Sequence, residues 1–116
     1  MSEELKIPRV LHIGPYVYRV NTPELIDPAD TSRIGLCDPL RHVIHLAKSI
    51  PRDLQRANLL HELLHATSDA FGLGLDDEDD MVDRIAVALL MLFDQNPSVL
   101  GTLFDYTPGQ EPKEEE

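Results

Sequence analysis

Strand-forming and helix-forming patterns occupy separate halves of the chain, and this segregation constrains the fold more than any other feature of the sequence. Residues 10–47 hold short runs rich in β-branched and aromatic residues, whereas residues 51–104 hold longer segments with apolar residues at helical spacing. Strands followed by helices are typical of an α+β domain. We therefore predict an α+β fold in which helices cover one face of a small antiparallel sheet.

The first half is predicted to form several short strands. The run V-L-H-I-G-P-Y-V-Y-R-V at residues 10–20 should form two of them, because Gly14-Pro15 interrupts it. Residues 21–33 are rich in Pro, Asp, Thr and Ser and are predicted to form a loop. Further strands are predicted at residues 34–37 and 41–47.

The second half is predicted to form two long helices and a short one, at residues 51–70, from the acidic cluster to Gln95, and at residues 98–104. Ser49 is the expected N-cap of the first helix, and Gly72 and Gly74 should end it. The expected apolar stripes are Leu54, Ala57, Leu60, Leu64 and Phe71 on the first helix, and Val82, Ile85, Ala86, Leu89 and Phe93 on the second.

The segment His61-Glu62-Leu63-Leu64-His65 is an H-E-x-x-H motif within the first predicted helix. Positions i and i+4 lie one helical turn apart on the same face, so that His61 and His65 can bind one metal ion together. Glu62 then lies beside the metal, where it can take a proton from a metal-bound water. Zn²⁺ is the expected cofactor, because imidazoles plus a carboxylate and one open position form the usual catalytic zinc site.

A third protein ligand is expected from the acidic cluster at residues 76–83, because the turn at Gly72–Gly74 lets the second helix fold back beside the first. Asp79 is the preferred candidate, since it precedes Val82 by three residues and so lies on the inward stripe. Glu78 is the alternative. Most of the cluster is expected only to favour the positive end of the helix dipole.

Other polar residues are expected to have structural roles. His42 and His45 lie on opposite faces of a predicted strand, where one of them could line the cleft. Tyr16, Tyr18 and Tyr106 could each donate a hydrogen bond to an oxyanion, and nothing in the sequence selects one of them. Cys37 is predicted to be an ordinary loop or strand residue, because an activated cysteine requires an electropositive setting.

Composition narrows the class of protein and of partner. The net charge of −11 predicts repulsion of nucleic acids and membrane lipids, and favours a basic protein partner. The polar N-terminus and the single cysteine lead us to expect a cytoplasmic protein. We predict a flexible arm at residues 1–9, a single domain at residues 10–106 and a disordered acidic tail at residues 107–116.

With these motifs in place, the chain resembles the small zincin-type metallopeptidases of phages and mobile elements, similar to the ImmA/IrrE group, whose members cleave or regulate repressor proteins. The resemblance covers residues 10–104 through I-G-P-Y-V-Y, H-V-I-H-L, L-L-H-E-L-L-H-A and D-R-I-A-V-A-L-L-M-L-F-D-Q-N-P. It implies a minimal zincin-like domain with Glu62 as general base. It also implies an acidic third ligand, often Glu in the family, where this chain offers Asp79 or a neighbour.

The predicted function is zinc-dependent hydrolysis of peptide bonds in a protein or peptide substrate. Basic repressor-like proteins are candidate substrates. An extended substrate is expected to add to an exposed edge strand, for which residues 41–47 are the candidate. The alternative is a zinc-stabilised protein-binding module without turnover. The oligomeric state is not predicted.

Overall fold

The computed structural model of the protein describes residues 5–75 and 78–104. It has the predicted α+β composition, and every predicted strand and helix is present within a few residues of its expected position. The elements are β1 (Val10–Ile13), β2 (Tyr16–Asn21), β3 (Gly35–Asp38), β4 (Val43–Leu46), α1 (Arg52–Phe71), α2 (Asp79–Gln95) and α3 (Val99–Phe104). Tyr106 and the predicted acidic tail lie outside the described residues.

The four strands form one sheet in the order β1-β2-β4-β3. β1 and β2 form an antiparallel hairpin, and β3 and β4 also pair antiparallel. β2 and β4 are parallel, with Arg19 beside Val43 and Asn21 beside His45, so the prediction of a purely antiparallel sheet is wrong for this pair. The reason is that β3 intervenes: the loop at residues 22–34 leads into β3, which runs antiparallel to β4 and returns the chain to the end of the sheet where β2 began.

The edge strand was also predicted incorrectly. β4 is bonded on one side to β2 and on the other to β3, so residues 41–47 do not offer an open edge. Within the described sheet the edges are β1 and β3. Both edge strands contact α1, and β3 contacts it more extensively than β1 does.

The core lies between the sheet and α1. Alternate residues of two neighbouring strands are buried there, as expected for strands with one covered face: Tyr18, Val20, Ile44 and Leu46. The helix contributes Ala66, with Leu59, Leu63 and Ala70 packed partly buried against the same cluster.

The apolar stripe predicted for α1 is displaced around the helix. Leu54 and Phe71 are 43% and 60% exposed. The buried face instead includes Asn58, Glu62 and Ser68, whose polar side chains a hydrophobic pattern does not identify as inward-facing.

Both ends of α1 follow from local chemistry. The helix begins after Pro51 without a side-chain cap, and Ser49 donates its hydroxyl to the Glu24 carboxylate, so the prediction of Ser49 as the N-cap is wrong. Gly72 ends the helix in the left-handed conformation at φ 66°, which glycine adopts without the Cβ clash of other residues. Ser68 secures the turn, because its carbonyl accepts from Leu73 N–H and its hydroxyl from Leu75 N–H.

The structure divides into two compact units, of which the first ends at Ala86 and the second begins at Val87. In the first unit, Val82 and Ala86 are fully buried, as predicted, and Ile85 is half-buried. Ile7 packs against the sheet core, so at least this residue of the predicted arm is attached. None of the helices described is long and apolar enough to cross a bilayer.

Candidate metal centre

The two histidines of the H-E-x-x-H motif lie one turn apart on α1, and both rings are mostly buried. Their Nε2 atoms are 3.2 Å apart and their ring centroids 4.8 Å apart. Two imidazole nitrogens at this separation point toward the same small volume. The helix therefore delivers the paired donors that the spacing predicts.

Asp79, the first residue of α2, joins the two histidines. Its Oδ1 atom is 2.8 Å from Nε2 of His65 and 3.5 Å from Nε2 of His61. Among the described residues, His61, His65 and Asp79 form the one group of potential metal ligands within mutual reach. The alternative candidate, Glu78, is exposed and lies outside this group.

The three donor atoms fit a tetrahedral zinc ion. Zinc binds nitrogen and oxygen at about 2.0 to 2.2 Å, and two ligands of a tetrahedron with such bonds are about 3.3 Å apart. The observed separations of 3.2, 2.8 and 3.5 Å lie around this value. The donor set of two imidazoles and one carboxylate also matches the ligands that catalytic zinc sites use.

Asp83 lies behind His61. Its Oδ1 atom is 3.4 Å from Nδ1 of His61, on the side of the ring opposite the metal-facing nitrogen. A carboxylate in that position favours a proton on Nδ1 and so leaves the Nε2 lone pair for a metal. Sequence reasoning missed this role, because most of the acidic cluster was expected only to favour the positive end of the helix dipole. A spacing of four residues from Asp79 was the signal that both carboxylates share one helix face.

Glu62 lines the same cavity as His61, His65 and Asp79, and its side chain is buried. It is 6% exposed, and burial, followed by the negative charge of Asp79, raises the pKa of Glu62 from 4.5 to about 7. The Arg33 guanidinium acts in the opposite direction. A carboxyl group with a pKa near 7 can both accept and return a proton near neutral pH.

Gly35 lets the edge strand β3 approach α1, the helix with the candidate histidine ligands, closely. A Cβ atom at this position would overlap Asn58 Oδ1 and would stand 2.5 Å from Glu62 Oε2. Asn58 is itself buried and donates its Nδ2 hydrogen to the carbonyl of Ile34 at 2.7 Å. Asn58 thereby attaches α1 to the chain at the start of β3, one turn before Glu62. No signal in the sequence indicates this contact.

Replacing Gly35 by alanine is expected to destabilise the protein by about 1 to 3 kcal/mol, because the new methyl group must displace Asn58 or Glu62 from a packed position. Chemical denaturation measures this free energy. Leu36→Ala is the control, since its side chain is partly exposed on the next residue of the strand. A Gly35→Ala protein as stable as the wild type would show that the close approach is not required.

A cleft of about 580 Å³ opens onto the three candidate ligands and Glu62. β3 and its preceding loop form one wall of the cleft. Cys37 lies in this wall as a residue of β3, which agrees with the prediction of a loop or strand residue. Asp30 and Asp69 also line the cleft.

His42, His45, Tyr16 and Tyr18 lie elsewhere. His42 and His45 do not line this cleft, and the ring of His42 instead packs 4.8 Å from Tyr16 and 5.1 Å from Tyr18. Tyr18 is fully buried, and this burial raises its pKa to about 12. Neither Tyr16 nor Tyr18 lines the cleft, so neither contributes an oxyanion donor to its described wall.

Comparisons with protein-family models, with curated proteins and with solved structures find no match to this chain.

Proposed function

We propose that the protein is a zinc-dependent metallopeptidase, with His61, His65 and Asp79 as the zinc ligands and Glu62 as the general base. The observation that carries the proposal is the set of three donor separations, which agree with the edges of a zinc tetrahedron. The buried carboxyl of Glu62 in the same cleft adds the proton acceptor that hydrolysis requires.

Each residue has a distinct task in this proposal. His61, His65 and Asp79 would hold the ion at the cleft through two imidazole nitrogens and one carboxylate oxygen. Zinc, when bound, supplies a Lewis acid that makes water a nucleophile near neutral pH. Glu62 accepts the proton of that water and returns it to the amine that leaves. Asp83 orients His61 through Nδ1.

The proposed substrate is a basic peptide segment. Asp30 and Asp69 line the cleft in addition to the candidate ligand Asp79 and the base Glu62, whereas Arg33 is the one Lys or Arg among the described lining residues. β3, the edge strand of the described sheet beside α1, is a place where an extended peptide can align next to the cleft. The resemblance to the ImmA/IrrE group suggests a basic repressor-like protein as the natural substrate, and a cytoplasmic location remains part of this proposal.

Glu62→Gln tests the proposal. It is expected to lower cleavage of a lysine- and arginine-rich test peptide by about 10² to 10⁴-fold, because general acid–base catalysis contributes that much, while zinc content and folding are retained. Asp80→Asn is the matched control, since Asp80 is exposed and lies outside the ligand group. A glutamate-rich peptide should be cleaved more slowly than the basic peptide, and cleavage of the basic peptide should slow as added salt screens its attraction to the cleft.

The same variant separates the proposal from a zinc-stabilised binding module. If the zinc-loaded wild type and Glu62→Gln bind a basic peptide equally and neither cleaves any of a panel of such peptides, the protein binds without turnover and the peptidase proposal fails.

A further inference from the structure

A second groove, of about 730 Å³, shares no lining residue with the metal-centre cleft. We call it the basic groove. It lies where three segments of the first unit meet: residues 5–10, residues 19–22 at the end of β2, and residues 48–55, which lead into α1.

The charge of this groove is opposite to that of the whole chain. Arg9, Arg19, Lys48 and Arg52 line it, four of the ten lysines and arginines in the sequence, and none of the described lining residues is acidic. The chain as a whole carries 21 acidic residues and a net charge of −11. Within the described structure, Arg9, Arg19 and Lys48 form no salt bridge with a carboxylate.

The groove also has an aliphatic surface, and its described lining includes no aromatic ring. Its apolar lining comes from Leu5, Ile7, Val10, Val20 and Ile50, with two prolines. The four cationic side chains are exposed and are distributed around the groove. They do not form one buried site for a single anion. This arrangement suits an extended ligand that carries several separate negative charges between aliphatic groups.

These features select among anionic ligands. A nucleic acid would find no aromatic side chain in the described lining on which to stack a base. A carboxylate-rich peptide instead presents single charges that Arg can bind through two parallel hydrogen bonds. At physiological salt, charges more than about 8 Å apart are largely screened from each other. A bound acidic peptide therefore interacts mainly with the charges of the groove itself.

We propose that the basic groove binds an acidic segment of a partner protein, through Arg9, Arg19, Lys48 and Arg52 and the aliphatic surface between them. This site goes beyond the peptidase proposal and does not depend on it. The groove and the cleft present opposite charge, so one molecule would bind an acidic partner segment and a basic one at separate places.

The test titrates the isotope-labelled full chain with a capped eight-residue peptide that holds four Glu and two Leu, monitored by amide chemical shifts. We expect shifts confined to residues 5–10, 19–22 and 48–55. The double variant Arg9→Gln/Arg19→Gln should weaken binding roughly five- to tenfold, because each exposed ion pair contributes modestly. The charge-matched control Arg41→Gln/Arg84→Gln removes two cations that do not line the groove and should bind within about twofold of wild type.

Three results would overturn the proposal: no binding of the peptide at millimolar concentration, equal weakening in both double variants, or tighter binding at the same residues by single-stranded RNA of eight nucleotides. A peptide with Gln in place of each Glu should bind at least about fivefold more weakly. If Arg9→Gln/Arg19→Gln does not fold, Lys48→Gln alone replaces it, because this exposed side chain has no described ion pair.

Discussion

Replacing Asp79 by alanine is expected to weaken zinc binding by about 100-fold or more. Loss of a residue that only supports a ligand already costs about 10- to 100-fold in metal affinity, so loss of a ligand should cost at least the upper end of that range. Asp79 Oδ1 is 2.8 Å from His65 Nε2 and 3.5 Å from His61 Nε2, which makes it the carboxylate that completes the donor set. Competition with a chromophoric chelator measures the affinity of wild type and variant.

Two neighbours provide matched controls for this prediction. Glu78→Ala and Asp80→Ala remove the same charge from adjacent exposed positions outside the ligand group, and each should change zinc affinity by less than about threefold, since exposed charges interact weakly. If Glu78→Ala produced the large loss and Asp79→Ala the small one, Glu78 would be the third ligand. Equal small losses in all three would exclude a ligand from the start of α2.

Metal-free protein is expected to lose about 3 kcal/mol of stability through Glu62 alone as the pH rises from 4 to 8. The pKa of Glu62 is about 7 in the folded protein against an ordinary value of 4.5. The folded state therefore binds this proton more tightly than the unfolded state. The stabilisation is complete below pH 4.5, falls as the pH rises, and is lost once the pH exceeds about 7, where the charged carboxylate is buried.

Glu62→Gln isolates this effect from the other acidic groups, because it keeps the shape of the side chain and cannot ionise. In the presence of a chelator, the variant should gain stability relative to wild type between pH 5 and pH 8, by up to about 3 kcal/mol. Urea denaturation across this pH range gives both curves. A stability difference that does not change with pH would contradict the raised pKa.

The parts of the fold that depend on neighbouring residues in the sequence were predictable. Gly14-Pro15 correctly separated β1 from β2, and Gly72 correctly ended α1, because backbone geometry at glycine and proline depends little on distant residues. The parallel pairing of β2 with β4 was not predictable, since it depends on the path of a long connection. The face of α1 was misplaced because Asn58 and Glu62 are polar residues in buried positions.

The geometry of the candidate metal centre was predictable where it depends on the spacing of residues along a single helix. His61, Glu62 and His65 follow from their positions in α1, and the placement of Asp79 beside them agrees with its preference over Glu78. Gly35 and Asn58 could not be found in the same way, because their contact joins two segments that are distant in sequence.

The most direct test of the central claim is the zinc content of the purified full chain, after exposure to zinc and removal of excess, measured by elemental analysis together with His61→Ala. We expect one zinc ion per chain in the wild type and its loss in the variant, with both proteins folded by circular dichroism. A folded wild type that takes up no zinc would contradict the metal centre and, with it, the proposed peptidase.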